Sequence, residues 1–294
     1  MEIFGVPSQA LFGQLLIGLI NGSFYALLSL GLAVIFGLLN IINFTHGAQY
    51  MLGAFCAYLL LNKLGIGYWW SLALAPIIVG ITGVIIERTM LSKLYKLDHL
   101  YGLLLTFGLA LIIQGLFRNE FGSSGLPYRI PQELQGAQNL GFMFLPNYRA
   151  WVIVVSLVVC LATWYVIERT KLGAYLRAAT ENPQLVQAFG INVPRMITLT
   201  YGFGVALAAF AGVMAAPIYQ VNPLMGADLI IVVFAVVVIG GMGSIMGAIV
   251  TGFGLGIIEG LTKVFYPEAS NTVIFIIMAI VLMFKPAGLF GTQK

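Results

Sequence analysis

Residues 151–167 read WVIVVSLVVCLATWYVI, which is 17 consecutive residues without a charged side chain. In helical geometry 17 residues extend about 25 Å, close to the roughly 30 Å hydrocarbon core of a bilayer. The stretch does not alternate apolar and polar side chains, as a strand of a membrane barrel would. Residues 151–167 therefore predict a transmembrane helix.

The composition of the whole chain agrees with this prediction. Of its 294 residues, 60% are hydrophobic and 8% are charged, whereas a soluble domain typically carries about 25% charged residues. Further uncharged runs occur at 103–117 and 230–241. We therefore predict an all-α fold, a polytopic transmembrane helix bundle that forms a single domain over residues 1–294. The net charge of +4 comes from residues between the apolar runs, so it reports topology and does not indicate nucleic-acid binding.

The apolar runs predict eight or nine spans. Their approximate bounds are 10–30, 47–62, 68–86, 100–117, 150–167, 197–217, 228–242, 244–262 and 272–285. Two regions do not fit a simple count. The uncharged stretch 10–39 is too long for one upright span, so 31–43 is predicted as a break or a re-entrant piece. Residues 228–262 form either two spans or one broken unit.

The distribution of basic residues predicts the orientation in the membrane. Nine of the 14 lysines and arginines lie in the segments 87–99 and 168–196 and in the C-terminal end. An odd number of spans places all three regions on one side, and the positive-inside rule makes that side cytoplasmic. The N-terminus is then periplasmic, the C-terminus is cytoplasmic, and the largest external loop covers about 118–148.

Residues 168–196, called the polar segment below, interrupt the apolar sequence with charged and helix-capping residues. Leu172-Gly173 predicts a helix break, followed by another turn or two. Asn182 is a good N-cap, Pro183 suits the first helical position, and Gly190 suits the position just past the end. A short helix is therefore predicted between Asn182 and Gly190.

The short helix carries an apolar face formed by Leu185, Val186 and Phe189, through their three- and four-residue spacings. A helix of two turns is not stable alone in water, so something must pack on this face. Spacing leaves two interpretations open. The helix either folds back on the protein's own cytoplasmic surface or docks on a soluble partner.

A second polar group lies between apolar stretches at 40–55. Its members are Asn40, Asn43, Thr45, His46 and Gln49. Polar groups at membrane depth need partners or a water-lined cavity. The group is either a capped turn in which His46 is hydrogen-bonded and silent, or a broken helix that lines a permeation path. A metal site or catalytic base at His46 is disfavoured, because the other histidine, His99, belongs to a different loop.

The stretch 239–260 is rich in glycine, with residues spaced four apart. The glycines predicted to form a helix-packing face are Gly243, Gly247, Gly252, Gly256 and Gly260. A face without side chains allows membrane helices to pack closely. The stretch lacks the Lys-Ser/Thr of a Walker A motif, so this chain is not predicted to hydrolyse ATP. Glu259 is an intramembrane carboxylate that we expect to reach an interface or to form a pair.

Several stretches, in order along nearly the whole chain, resemble one family, the permease subunits of bacterial ABC importers for branched-chain amino acids, of the LivH type. The matching stretches are Asn21–Leu27, Asn43–Gly47, Leu172-Gly173 through Ala179, Ala188–Asn192, Gly240–Ser244 with Gly247-Ala248, and Lys285–Gly291. Two residues depart from the family pattern. Thr45 stands where we expect alanine before the histidine, and Met246 stands where we expect proline.

The resemblance implies that a cytoplasmic helix of the permease docks in a groove of an ATPase subunit, and the polar segment occupies that place. The residues expected to couple to the ATPase are Arg177, Glu181, Asn182, Pro183, Leu185, Val186, Phe189 and Gly190. Those expected to line the translocation path are Asn21, Ser23, Asn43, Thr45 and His46. A path of this kind suits a small polar or zwitterionic solute.

The resemblance also implies an assembly in the bacterial inner membrane. Its expected parts are a second homologous permease or a second copy of this chain, two ABC ATPase subunits and a periplasmic substrate-binding protein. ATP and magnesium would bind to the ATPases, with no cofactor on this chain, which is not expected to be an enzyme. Branched-chain amino acids are the first expected substrates, and urea, amides or aromatic acids are alternatives. A secondary transporter or channel is the alternative class.

Overall fold

The computed structural model describes residues 2–3, 5–39, 42–95 and 97–291 and is mostly helical. Within these residues lie eleven α-helices: α1 (Ser8–Leu39), α2 (Thr45–Leu64), α3 (Tyr68–Thr89), α4 (His99–Phe121), α5 (Asn147–Arg169), α6 (Lys171–Glu181), α7 (Pro183–Ala188), α8 (Val193–Tyr219), α9 (Ala227–Gly240), α10 (Ile245–Phe265) and α11 (Val273–Phe284). Two short antiparallel pairs join β1 (Glu2–Ile3) to β2 (Val6–Pro7) and β3 (Ala137–Asn139) to β4 (Phe144–Pro146). The prediction of an all-α fold is confirmed.

Six of these helices are long and apolar enough to cross a membrane, among the residues that the structure describes. They are α1, α3, α4, α5, α8 and α10. The shorter helices α9 and α11 are also apolar, whereas α2 begins with polar residues. The chain is therefore a multi-pass membrane protein by helix length and composition, and the count of eight or nine spans stays a prediction.

The break predicted within 31–43 does not occur before Leu39, whereas residues 42–44, between α1 and α2, lie outside any helix. Helix α1 continues without interruption to Leu39, while Asn40 and Ile41 lie outside the described residues. Burial explains the continuity, because Ala33, Val34 and Ile35 are all packed inside the protein. The region 228–262 consists of two helices, separated by a turn in which Gly241 and Gly243 adopt positive φ angles of 104° and 86°. Side-chain-bearing residues rarely adopt this conformation.

The chain divides into two compact units that interleave along the sequence. Unit 1 comprises the described residues of 1–29, 130–161 and 232–294. Within it α10 packs against the part of α1 from Gln14 to Ala26 and against α11. The β3–β4 hairpin also belongs to this unit and lies in the predicted external loop. A single permease domain over 1–294 stays a prediction.

Unit 2 comprises the described residues of 30–129 and 162–231, and its centre is formed by α2, α3 and α8. The three helices approach closely where one of them carries glycine. A Cβ added at Gly53 of α2 would lie 2.6 Å from the carbonyl carbon of Ala209 in α8, and one at Gly80 of α3 would lie 3.2 Å from the carbonyl oxygen of Gly202. A buried cluster completes this core, with Ile35, Val79, Leu91, Tyr201, Val205 and Ala209 as members.

Candidate functional site

The polar segment folds into two consecutive helices, α6 and α7, joined at Asn182. The Asn182 side chain accepts a hydrogen bond from the amide of Leu185 at 2.9 Å, and Pro183 occupies the first turn of α7. Gly190 follows the helix with a φ of 83°. The predicted N-cap, first-turn proline and terminal glycine are therefore confirmed. Asn192 then caps α8 by accepting from the amide of Arg195 at 3.1 Å.

The structure corrects the helix break predicted at Leu172-Gly173. Helix α6 begins at Lys171 and runs through Gly173, so the interruption after α5 falls at Thr170 instead. Gly173 is buried, and a Cβ there would lie 2.9 Å from the Cα of Ile167 at the end of α5. This glycine therefore permits the close approach of α5 and α6 and does not end a helix.

The inner side of the polar segment is fixed to the protein by apolar and polar contacts. Ala179 of α6, Val186 of α7 and Val193 of α8 form one buried cluster. The guanidinium of Arg177 donates to the carbonyl of Ile167 at 3.0 Å and lies 3.4 Å from the carboxylate of Glu168. These contacts hold α6 and α7 against the end of α5 and the start of α8.

The outer side of the polar segment presents apolar side chains to its surroundings. Phe189 is 78% exposed and Leu185 is 54% exposed, and Leu172 and Tyr175 of α6 are also exposed. The three residues predicted to share one apolar face are thus divided, because Val186 packs inward while Leu185 and Phe189 project outward. Glu181 and Pro183 are exposed beside them. We call Leu172, Tyr175, Leu185 and Phe189 the outer apolar face.

The polar group at the start of α2 forms a buried cluster within unit 2. Its members Asn43, Thr45, His46 and Gln49 are at most 1% exposed. The Asn43 side chain accepts from the amide of Thr45 at 3.1 Å and donates to the Gln49 carbonyl oxygen at 3.3 Å. The hydroxyl of Tyr201 in α8 lies near Asn43, Thr45 and Gln49. We call these four residues of the 43–49 region, with Tyr201, the polar cluster.

Two further contacts hold the polar cluster in place. The imidazole of His46 packs against α1, where a Cβ added at Gly31 would lie 3.0 Å from its Cε1 and Nε2 atoms. Thr106 of α4 accepts from the amide of Phe44 at 3.2 Å and donates to the carbonyl of Ile42 at 3.3 Å. Sequence reasoning identified the polar residues of α2 but missed Tyr201 and Thr106, which only the packing of α8 and α4 brings to them.

The other two residues predicted for the translocation path, Asn21 and Ser23, belong to unit 1. The Ser23 hydroxyl donates to the carbonyl of Leu19 at 2.8 Å, within its own helix. The Asn21 amide donates to the carboxylate of Glu259 in α10 at 3.2 Å. The structure therefore brings Asn43, Thr45 and His46 into one cluster and gives Asn21 a separate partner.

Glu259 forms a buried network between α1 and α10. It is 5% exposed, and it accepts from the hydroxyl of Tyr25 at 2.7 Å besides the contact with Asn21. It also forms an ion pair with Lys263, one turn further along α10. The expectation that this carboxylate forms a pair is confirmed.

Replacement of Glu259 with alanine is expected to lower the stability of the protein. Lys263 would lose its counter-charge, and the α1–α10 contact would lose two side-chain hydrogen bonds, at a combined cost of about 2 kcal/mol. Glu259→Gln keeps an acceptor for Tyr25 and should lose less. Thermal unfolding of the purified proteins in detergent should give the highest unfolding temperature for the wild type, a lower one for Glu259→Gln and the lowest for Glu259→Ala. An alanine variant as stable as the wild type would contradict the network's structural role.

The glycines of α10 divide between packing and turn formation. Gly252, Gly256 and Gly260 lie against α1, where added Cβ atoms would be 2.6 Å from the Cα of Ala26, 2.5 Å from the amide nitrogen of Gly22 and 2.5 Å from the carbonyl oxygen of Gln14. Gly247 instead faces Gly240 of α9. Gly243, predicted on the packing face, lies in the α9–α10 turn, where its positive φ angle requires glycine.

Comparison with known proteins relates this arrangement to transport permeases. The family model for the permease component of branched-chain amino acid transport systems matches residues 14–282. The high-affinity branched-chain amino acid transport system permease protein LivH of Escherichia coli is 30% identical over an alignment of 296 positions that covers 96% of each chain. The corresponding protein BraD of Pseudomonas aeruginosa is 31% identical over an alignment of 294 positions that again covers 96% of each chain.

A second type of permease is also similar to this chain. The permease protein LivM of Escherichia coli is 27% identical over an alignment of 297 positions that covers 92% of this chain and 68% of LivM. No solved structure matches the chain. The extent of the family match and the identity to LivH and BraD along nearly the whole length show that this chain belongs to the family of branched-chain amino acid transport permease components, as a LivH-type member.

Proposed function

We propose that this chain is the membrane permease subunit of an ATP-driven importer and that the polar segment docks on an ATPase subunit. The observation that carries the proposal is the two-sided polar segment. Its inner side is fixed by Val186 and Arg177, while its outer apolar face exposes Phe189 and Leu185. Large exposed apolar side chains on a rigid support are typical of a docking surface.

The connection from the polar segment to the membrane helices supports a role in coupling. Val186 of α7 and Val193 of α8 share one buried cluster, and Asn192, within the segment, caps α8. Helix α8 then packs against α2, which begins with the polar cluster. A displacement of the polar segment therefore reaches α2 through well-packed contacts, as alternating access driven by ATPase closure requires.

The proposed assembly contains a second, homologous permease. LivH and LivM are named as permease proteins of a branched-chain amino acid transport system, and this chain is similar to both. We propose a heterodimer of this kind, with a homodimer as the alternative, together with two ATPases and a periplasmic binding protein. ATP and Mg²⁺ bind to the ATPases in this assembly. It resides in the bacterial inner membrane, with the N-terminus periplasmic and the C-terminus cytoplasmic.

The proposed substrates are the branched-chain amino acids leucine, isoleucine and valine. The support for them is the family and the names of LivH and BraD. The polar cluster supplies amide and hydroxyl groups, from Asn43, Gln49 and Thr45, which are buried here and which we propose to face a small zwitterionic solute once the helices around them move. Urea, short amides and aromatic acids are the alternative substrates of the same importer type.

The proposed function is tested with the complete complex in proteoliposomes. The complex contains this chain, its cognate permease, the ATPases and the binding protein, and ATP hydrolysis is measured against a panel of amino acids, urea and aromatic acids. Stimulation by leucine, isoleucine or valine is expected only when the binding protein is present. Stimulation by another compound would reassign the substrate. Solute uptake without ATP would contradict the importer and favour a secondary transporter or channel.

A further inference from the structure

We propose that Glu87 is a positioning residue that ties the end of α3 to the start of α8, so that a displacement of the polar segment moves both helices together. The inference rests on the proposed function and adds to it a contact that transmits the displacement of α8 to α3. Glu87 lies in the last turn of α3 and is 2% exposed. A buried carboxylate is costly unless its oxygens are hydrogen-bonded.

Both oxygens of the Glu87 carboxylate have partners from other parts of unit 2. The Tyr95 hydroxyl, on the segment after α3, donates to Oε1 at 2.5 Å. The Thr198 hydroxyl, in the second turn of α8, donates to Oε2 at 2.7 Å. Hydrogen bonds to an ionised acceptor are short and roughly twice as strong as neutral ones. We call Glu87, Tyr95 and Thr198 the Glu87 junction.

Tyr95 is suited to act as a permanent donor in the junction. Burial, and then the hydrogen bond to Glu87, raise the pKa of its hydroxyl above the ordinary value. The group therefore keeps its proton at physiological pH and donates to the carboxylate.

The Glu87 junction lies beside a pocket between the end of α3 and the start of α8. A cavity of about 630 Å³ borders the junction and is lined by Glu87, Tyr95 and Thr198 together with Arg88, Asn192 and Arg195, among others. Close packing of α3 on α8 occurs further along the helices, where a Cβ at Gly83 would lie 2.7 Å from the side chain of Val205. The hydrogen bonds of Glu87 join α3 to α8 beside this pocket, next to the buried cluster that contains Leu91 and Tyr201.

The position of Thr198 connects the junction to the polar segment. Asn192, near the end of the segment, caps α8 through the amide of Arg195, three residues before Thr198. The first turns of α8 therefore move with the polar segment, and the Glu87 junction passes this movement to α3. Without the junction, α8 shifts alone, and ATP hydrolysis proceeds with less solute carried per ATP.

The test replaces Thr198 with valine, which removes the donor but keeps the shape of the side chain. Solute uptake per ATP hydrolysed is measured in the reconstituted complex. We expect this ratio to fall roughly tenfold while the ATPase rate stays within about twofold of the wild type, because one strong hydrogen bond between the helices is lost. Thr198→Ser, which retains the hydroxyl, should restore the ratio.

Thr200→Val is the matched control. Thr200 lies in the same helix and is also buried, but its hydroxyl donates only to the carbonyl of Met196 in its own helix, at 2.9 Å. This variant should keep the wild-type ratio. Tyr95→Phe removes the other donor and provides a second test if the Thr198→Val complex does not assemble.

The possible results separate this inference from the proposed function. A wild-type ratio in both Thr198→Val and Tyr95→Phe overturns the role of Glu87 and leaves the importer intact. Equal losses of ATPase rate and uptake, with a lower unfolding temperature, would show a merely structural role and also overturn it. Absence of ATP-dependent uptake in the wild-type complex overturns the proposed function, and this inference with it.

Discussion

Replacing both Leu185 and Phe189 with aspartate is expected to separate the ATPase subunits from the permease and to abolish uptake. The two side chains are 54% and 78% exposed and form the part of the outer apolar face that α7 contributes. In a docked complex the aspartates would be buried without partners. Central apolar residues of an interface each contribute about 2 kcal/mol or more, so affinity should fall at least 100-fold.

The permease itself should remain folded in this double variant. Val186 and Ala179, which fix the polar segment, are unchanged, and exposed substitutions usually alter stability by less than about 0.5 kcal/mol. The measurement is the amount of ATPase that copurifies with the permease, together with solute uptake. Leu140→Asp with Phe144→Asp, at two exposed positions in the predicted external loop, is the control and should retain the ATPases. A Leu185→Asp, Phe189→Asp permease that keeps its ATPases and its uptake would contradict the docking role.

Gly53→Ala is expected to destabilise the folded permease by about 3 kcal/mol, although it adds a single methyl group. The new Cβ would overlap the backbone of Ala209, where α2 crosses α8, and backbone atoms cannot rotate away as a side chain does. The two helices would have to separate, and the polar cluster at the start of α2 would lose its register with Tyr201. A lower unfolding temperature and a smaller yield of monodisperse protein are the expected results.

Gly108→Ala is the matched control for this prediction. Gly108 lies in α4 of the same unit, and an added Cβ would have no neighbour within 4 Å. Alanine is favoured over glycine in a helix by about 1 kcal/mol, so this variant should be as stable as the wild type or more stable. If Gly53→Ala and Gly108→Ala unfold at the same temperature, the close approach of α2 and α8 is not required for stability.

The parts of the chain that sequence predicts well are those that depend on local chemistry. Asn182, Pro183 and Gly190 define α7, because a cap, a fixed φ angle and a positive φ angle act within a few residues. The all-α fold follows in the same way from the length and composition of the apolar runs.

The roles of the glycines could not all be predicted from the sequence, because glycine serves three different purposes in this fold. Gly173 resembles a helix breaker but lies inside α6, where it makes room for the end of α5. Gly243 resembles a packing residue but forms a turn with a positive φ angle. Gly252 does pack, against Ala26. Only the neighbouring helix distinguishes these roles, and the sequence does not specify the neighbour.

The contacts of the two buried carboxylates, Glu259 and Glu87, could likewise be predicted only in part from the sequence. The pairing of Glu259 with Lys263 follows from a four-residue spacing, whereas its hydrogen bond from Tyr25 joins residues far apart in the chain. Glu87 appears in the sequence as an ordinary charged residue at the end of a span. Its hydrogen bond from Thr198 joins it to a residue more than 100 positions later, so the sequence near Glu87 did not indicate this contact.

The most direct measurement for the central claim is photo-crosslinking from position 189 in the assembled complex. Phe189 is the most exposed side chain of the outer apolar face, and benzoylphenylalanine replaces it conservatively. Irradiation of the co-expressed, purified complex should join the permease to its ATPase subunit, identified by mass spectrometry, whereas the same probe at Phe144 should not. A probe at position 189 that captures only lipid or another part of the permease would contradict the assignment of the polar segment as the coupling element.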